Sequence, residues 1–278
     1  MNKSIVALAY DFDGTLTPGN MQEHSFLPDI GVTPQAFWEK AEQLAREHNA
    51  DSVLCYMNLM LIKAKEAGIP VRKVDFNKYG KAVKLFEGVE SWFNRMNKYG
   101  EKLGFEVEHY IISSGLCEMI EGTSIADNFK RIFASSFKYN EQGIAEWPAT
   151  AVNFTTKTQY LFRINKGAFD VFDNKTINDF VKMEDRPVPF KRMIFIGDGE
   201  TDIPCFSLVK SLGGHSIAVY NRQFRGARMK AERLINDGRV NFVAPAVYSD
   251  KSKLETIVNA IIDKIASDSV LESLGKQE

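Results

Sequence analysis

Five short apolar runs punctuate this chain, at residues 5–10, 110–112, 193–196, 216–219 and 242–244. Continuous apolar runs of this kind, bounded by polar or small residues, read as strands buried on both faces. Long segments of helical periodicity separate most of them, and strands joined by crossover helices imply an α/β fold around a parallel sheet. The first interval is different from the rest. Residues 11–109 lie between the first two runs, too many for one crossover helix.

That interval contains at least three helical patterns. Thr33-Pro34 reads as an N-cap followed by proline in the first turn, with Phe37, Ala41, Leu44 and Ala45 on one face. Asp51 opens a second helix, apolar nearly all round over residues 53–62 and stopped by Gly68 and Pro70. A third, over residues 88–103, turns Val89, Trp92, Phe93, Met96 and Leu103 toward a core and leads into the strand at Tyr110. It therefore reads as the sheet's own crossover. The earlier two, with residues 74–85, read as an inserted helical subdomain, in which Met57 and Met60 are expected to pack rather than bind. A final helix is expected over residues 253–265, with a frayed polar tail after Ser267.

Composition narrows the class. Thirty-five Lys and Arg against 36 Asp and Glu argue against a general nucleic-acid binder, whose affinity comes largely from phosphate neutralisation. Arg222, Arg225, Arg228, Lys230 and Arg233 cluster in one segment, which reads as a solvated helix face. Cys55, Cys117 and Cys205 form no paired motif, so neither a zinc site nor a disulfide framework is expected. Asp11 interrupts the N-terminal apolar run before a secretory segment could form. The apolar stretch at residues 53–62 is far shorter than the roughly 20 residues of a membrane span. A cytoplasmic chain without membrane or nucleic-acid partners, monomeric or homodimeric, is the expectation.

The chemistry concentrates at strand ends. Asp11-Phe12-Asp13-Gly14-Thr15-Leu16-Thr17 follows the first strand directly. Carboxylates there point into the crevice where α/β sheets bind ligands. A turn at Asp13-Gly14 would explain those two residues alone, but not Asp11 closing a buried run, where an unpaired charge is costly. Residues 193–196 release a second acidic segment, Gly197-Asp198-Gly199-Glu200-Thr201-Asp202. Two such ends on adjacent strands would gather carboxylate oxygens around a hard divalent cation, and beside phosphate that cation is Mg²⁺. Between them, Ser113-Ser114-Gly115 at the end of the second strand offers a hydroxyl and backbone N–H groups to an anion. Lys157 opens a helix carrying Leu161 and Ile164. A cation in a first turn opposes the helix dipole at a cost of about 0.3–1 kcal/mol, which hints at an anionic partner.

In this order the motifs resemble the haloacid-dehalogenase-like superfamily of phosphohydrolases: DFDGTLT the first motif, YIISSG the second, Lys157 the third and GDGETD the fourth. The resemblance implies a Rossmann-like three-layer α/β/α core of residues 1–18 and 86–278, with residues 19–85 as a helical cap. Residues 129–137 and the turn Asn140-Glu141-Gln142-Gly143 are similar to phosphoserine-phosphatase-like members. It further implies Asp11 as nucleophile and Asp13 as acid and base. Ser113, Ser114, Gly115 and Lys157 would bind phosphate. Mg²⁺ would be held by Asp11, the Asp13 carbonyl and Asp198, with Asp202 supporting the metal or contacting Lys157. Dehalogenases lack an acid at the position of Asp13 and P-type ATPases carry Thr there, so Asp13 favours phosphate esters. Lys166 rivals Lys157 as the third motif, and Glu200 reads as a solvated loop acid. The expected function is Mg²⁺-dependent hydrolysis of a small phosphorylated metabolite through an aspartyl-phosphate. A phosphomutase or phosphotransferase, or a non-catalytic phosphate-binding module, is the alternative.

Overall fold

The apolar runs do become strands in the computed structural model, which describes residues 3–275. In chain order the elements begin with β1 (Ser4–Tyr10), α1 (Phe26–Asp29), α2 (Pro34–His48), α3 (Ser52–Glu66), α4 (Lys73–Lys81) and α5 (Val89–Lys102). There follow β2 (Phe105–Leu116), α6 (Cys117–Glu121), β3 (Arg131–Tyr139), β4 (Ala145–Thr150), α7 (Phe154–Lys166) and α8 (Asn174–Asn178). The chain continues through β5 (Met193–Gly197), α9 (Ile203–Ser211), β6 (His215–Tyr220), α10 (Ala227–Asn236), β7 (Phe242–Pro245) and α11 (Lys253–Leu274). One seven-stranded sheet runs β4-β3-β2-β1-β5-β6-β7. Every neighbouring pair is parallel except β3–β4, which is antiparallel.

Alternate residues of β1 divide the core into two layers. Val6, Leu8 and Tyr10 join a cluster with Trp92, Phe93 and Met96 of α5 and Val258, Ile261 and Ile262 of α11. Ala7 and Ala9 face the opposite cluster, with Tyr160, Leu161 and Ile164 of α7 and Phe206 and Val209 of α9. This is the three-layer α/β/α arrangement expected of strands apolar on both faces. Register then aligns the ends. Tyr10 pairs with Ile111 on one side and Ile196 on the other, so β1, β2 and β5 reach one edge together.

Helices α1–α4 occupy the interval between β1 and α5. Thr33 caps α2 through Ala36 N–H, and Asp51 caps α3 by accepting from the N–H groups of Val53 and Leu54. Met57 and Met60 are fully buried, as packing residues should be. Phe76 of α4 stacks on Phe137 of β3 with ring centres 5.5 Å apart. The three cysteines are free, and among the described residues no helix is long and apolar enough to cross a membrane.

Several boundaries differ from the sequence reading. The second strand runs from Phe105 to Leu116 rather than over residues 110–112, so Ser113-Ser114-Gly115 lies within the strand. Its polar residues hid it: Glu108 accepts from the Tyr110 hydroxyl and pairs with Lys130 at 3.1 Å. Leu103 ends the preceding helix 38% exposed rather than in the core. Helix α4 stops at Lys81. The last helix continues to Leu274, past the point where a frayed tail was expected. The remainder of that tail, residues 276–278, lies outside the described residues.

A buried polar chain fixes the end of β1. Trp92 Nε1 lies 2.9 Å from the Tyr10 hydroxyl, which is 3.0 Å from His109 Nδ1, while His109 Nε2 is 2.9 Å from Asn97 Oδ1. Indole N–H can only donate, so the Tyr10 oxygen accepts from it and gives its own proton to Nδ1. His109 is therefore the neutral Nε2–H tautomer, donating to Asn97. Burial holds its imidazole down at about 3, against about 6.5 in an unfolded chain. Between those values the unfolded chain binds a proton that the folded chain does not. The stabilising difference is complete above about pH 6.5 and is lost as pH falls through that window. Urea midpoints across this range should show wild type losing up to about 1.4 kcal/mol per pH unit from this group. His109→Gln, less stable at neutral pH, should lack that component.

Candidate active site

The site lies where β1, β2 and β5 end together. Asp11 N–H donates to the Ile196 carbonyl at 2.9 Å, fastening the departing β1 chain to β5. The chain then turns tightly: the Phe12 carbonyl accepts from Thr15, Leu16 and Thr17, and Gly14 N–H donates to Thr17 O at 2.8 Å. Gly14 adopts φ +75°, and a Cβ there would lie 2.1 Å from Asp198 Oδ2. Glycine thus supplies both the left-handed turn and the space for the second acidic strand end to approach the first. Gly197 supplies space alone, for Asp202, whose carboxylate would sit 2.4 Å from a Cβ at that position.

Lys157 lies at the centre. Its side chain is completely buried, with Nζ 2.7 Å from Asp202 Oδ1 and 3.0 Å from Asp11 Oδ1. Burial alone would push the ammonium down, but the two carboxylates hold it above its ordinary value. Asp202 is spent on structure. Its Oδ1 takes the lysine, and its Oδ2 accepts from the N–H groups of Asp198 and Gly199 at 3.1 and 3.3 Å. It thereby aims both Lys157 and the Asp198 loop. Lys166, the rival for this role, is elsewhere, donating to the carbonyls of Ile177 and Asp179 at 2.7 Å.

The other carboxylates crowd together around the ammonium. Asp11 is nearly buried, and burial lifts it to about 6 against the opposing pull of Lys157. Its Oδ1 lies near Lys157 without the alignment of a hydrogen bond, which leaves a buried oxygen with free valence. Asp13 Oδ1 accepts from Met21 N–H at 2.8 Å. Burial, then the charge on Asp11, holds Asp13 well above the usual carboxylate range. Asp198 is walled in by protein but opens onto the cleft. That burial, followed by the charges of Asp202 and Asp11, raises it as well. Ligand oxygens of Asp11, Asp198 and Asp202 all lie within 4.8 Å of one another. An orphaned buried oxygen, mutually raised carboxylates and an all-oxygen donor set fit a hard divalent cation.

Asp11, Asp13, Ser113, Ser114, Gly115 and Asp198 line one cavity of about 1150 Å³. Ser113 Oγ accepts from Gly115 N–H at 3.0 Å, and the buried Ser114 Oγ has no partner. The adjoining α6 has only five residues, so the cradle is a strand end more than a helix terminus. The structure thus brings together the residues singled out in all four sequence motifs. Glu200 also lines the cavity, at an exposed position. Sequence reasoning missed Tyr56, which reaches from α3 to donate to the Ser114 carbonyl at 2.6 Å. It also missed Gln22, buried against the cavity with Oε1 unpartnered. Neither carries a spacing signal.

Residues 8–207 match the haloacid dehalogenase-like hydrolase family, and the chain belongs to it. A Borreliella burgdorferi protein described as an uncharacterized protein is 29% identical over 291 residues, covering 95% of this chain and 97% of its own. Among solved structures, apo phosphoserine phosphatase is similar with a TM-score of 0.56 at 15% identity, covering 93% of this chain and 98% of that one. Substrate-bound phosphoserine phosphatase gives 0.55 at 16% identity, covering 93% and 99%. A haloacid dehalogenase family hydrolase from Salmonella enterica serovar Typhi gives 0.54 at 15% identity, covering 87% and 67%. At such identities the likeness is one of fold.

Cation binding should reveal itself in opposite directions in two proteins. Excess Mg²⁺ should raise the Tm of wild type, the stabilisation reaching about 2.7 kcal/mol at a hundredfold excess over Kd. Asp198→Asn removes a like charge, so without cation it should be at least as stable as wild type while losing the Mg²⁺ increment. Calorimetry with and without MgCl₂ checks both, and an undiminished increment in the variant would remove Asp198 from the cation site.

Proposed function

We propose that the protein is a Mg²⁺-dependent phosphomonoester hydrolase acting on a small phosphorylated molecule through an aspartyl-phosphate on Asp11. The observation that carries this reading is the fixed Asp11 carboxylate, held by a buried lysine at 3.0 Å on the floor of an open cavity, with a second acid lining that cavity two residues on. A purely binding site has no use for that second acid.

Asp11 attacks phosphorus in line, forming the Asp11–phosphorus bond as the bond to the leaving oxygen breaks. Asp13, whose hold on a proton is strengthened by burial and then by the charge on Asp11, gives a proton to that oxygen and releases the alcohol. As a carboxylate it then takes a proton from water, whose oxygen attacks the phosphoryl group, regenerating Asp11 and freeing inorganic phosphate. Lys157 offsets the negative charge on Asp11 and on the transferring group. Ser113 and Ser114 offer their hydroxyl groups to the phosphoryl oxygens, and the Gly115 N–H, which donates to Ser113 Oγ, joins them by exchanging that partner for phosphate. Asp11, the Asp13 carbonyl and Asp198 would hold Mg²⁺, with Asp202 fixing the loop behind them. When bound, the cation supplies charge neutralisation at the phosphoryl oxygens.

Residues 19–85 act in this reading as a lid that excludes water from the closed site. Tyr56, bonded to the Ser114 carbonyl, and Asn153, with Nδ2 3.3 Å from Asp51 Oδ2, are contacts between that segment and the core.

Phosphate release from an aryl phosphate in Mg²⁺ tests the assignment. Asp11→Asn should abolish turnover, and Asp13→Asn should lower kcat by a factor of about 10²–10⁴. Equal turnover in Asp11→Asn and wild type would sink the nucleophile.

A further inference from the structure

The cavity that holds the catalytic carboxylates does not end with them. It continues along α10 and past both its ends, lined by Arg225 before the helix, Lys230 and Arg233 on it, and Asp237 and Arg239 after it. The spacing explains the facing: residues 227, 230, 234 and 237 share one side of a helix, and all four line this cavity. Arg228, Glu232 and Ile235 line a separate cavity of about 620 Å³ on another side. The two sides are wired differently. Arg228 is committed to Glu232 at 2.7 Å, whereas among the described residues Arg225, Lys230 and Arg233 have no ion-pair partner. Arg239 lies 3.9 Å from Asp237, the acid at that end. Phe224, 62% exposed, also lines the cavity. Solvated cations are ordinary on a helix. Unpaired ones lining the same cavity as the reaction centre are placed to meet what enters it.

Resting on the phosphomonoesterase reading, we propose that the substrate carries a second phosphate, remote from the one transferred, which seats on Arg225, Lys230 and Arg233. Several cations against one paired acid suit a dianion better than a single carboxylate, and arginine offers a fork matched to phosphate oxygens. Lys230 and Arg233 are about 4.5 Å apart along the helix axis, close enough to share one phosphate. Such anchoring also meets a need of the site. Its carboxylates repel an approaching phosphoryl group, and binding energy gained on a non-reacting part of the substrate offsets that repulsion. The substrate class is therefore an elongated bisphosphate.

Phosphate release in Mg²⁺ from the mono- and bisphosphates of propanediol, hexanediol and dodecanediol tests this. For at least one length, kcat/KM for the bisphosphate should exceed that for the matching monophosphate by at least about tenfold. The double variant Lys230→Gln/Arg233→Gln should collapse that ratio. A ratio no greater than the statistical advantage of offering either end, at every length, would overturn the proposal, as would a ratio untouched by the double variant. If no ester releases phosphate, the hydrolase reading fails instead. Titration calorimetry of the same compounds into Asp11→Asn then decides the anion site separately. Tighter binding of a bisphosphate, lost with Lys230→Gln/Arg233→Gln, supports it, and equal binding of both series overturns it.

Discussion

One buried ammonium holds this site together. Lys157 is shielded from solvent and lies within 3.0 Å of both Asp11 and Asp202. Taking three charges out of water costs several kcal/mol per ion, and only close pairing with further hydrogen bonds recovers it. Asp202 meets that condition through the N–H groups of Asp198 and Gly199. Asp11 meets it only in part, keeping an oxygen near the lysine without a directed hydrogen bond. Asp11 also lines the cavity and Asp202 does not, which fits the nucleophile proposed for the first and the structural part played by the second.

The fold serves this placement. Tyr10, the residue before Asp11, is pinned by Trp92 and His109 from α5 and β2. Asp11 N–H is in turn tied to Ile196 of β5. Position is therefore set from both sides of the strand, by polar groups buried deeply enough that water does not compete. The acids converge because Gly14 and Gly197 leave no side chain between them. Packing, register and missing Cβ atoms act together to bring repelling groups within a few ångströms.

Much of this was legible in the sequence. A carboxylate closing a buried run has few inexpensive explanations, so Asp11 and Asp198 stood out as soon as the strands did. Lys157 could be preferred to Lys166 because a lysine in a first helical turn opposes the dipole; Lys166 instead satisfies carbonyls at a helix end. The extent of β2 was not legible, since Glu106, Glu108 and His109 break the apolar pattern, and only tertiary partners show how Glu108 and His109 are satisfied. The edge strand β4 contains Pro148 and pairs antiparallel, which no apolar run announces. Tyr56 and Gln22 reach the cavity through the packing of the inserted helices, information absent from local spacing. The basic segment around Arg228 was visible as charge, but which of its residues face the cavity depends on how α10 lies against the sheet.

The central claim is that Asp11 forms a covalent bond to phosphorus. Borohydride reduction during turnover of an aryl phosphate, followed by peptide mass spectrometry, tests this most directly, because an acyl phosphate is reduced where a free carboxylate is not. The account predicts homoserine at position 11, absent when substrate is omitted. Sustained phosphate release with Asp11 unreduced, or reduction at another carboxylate, would contradict it.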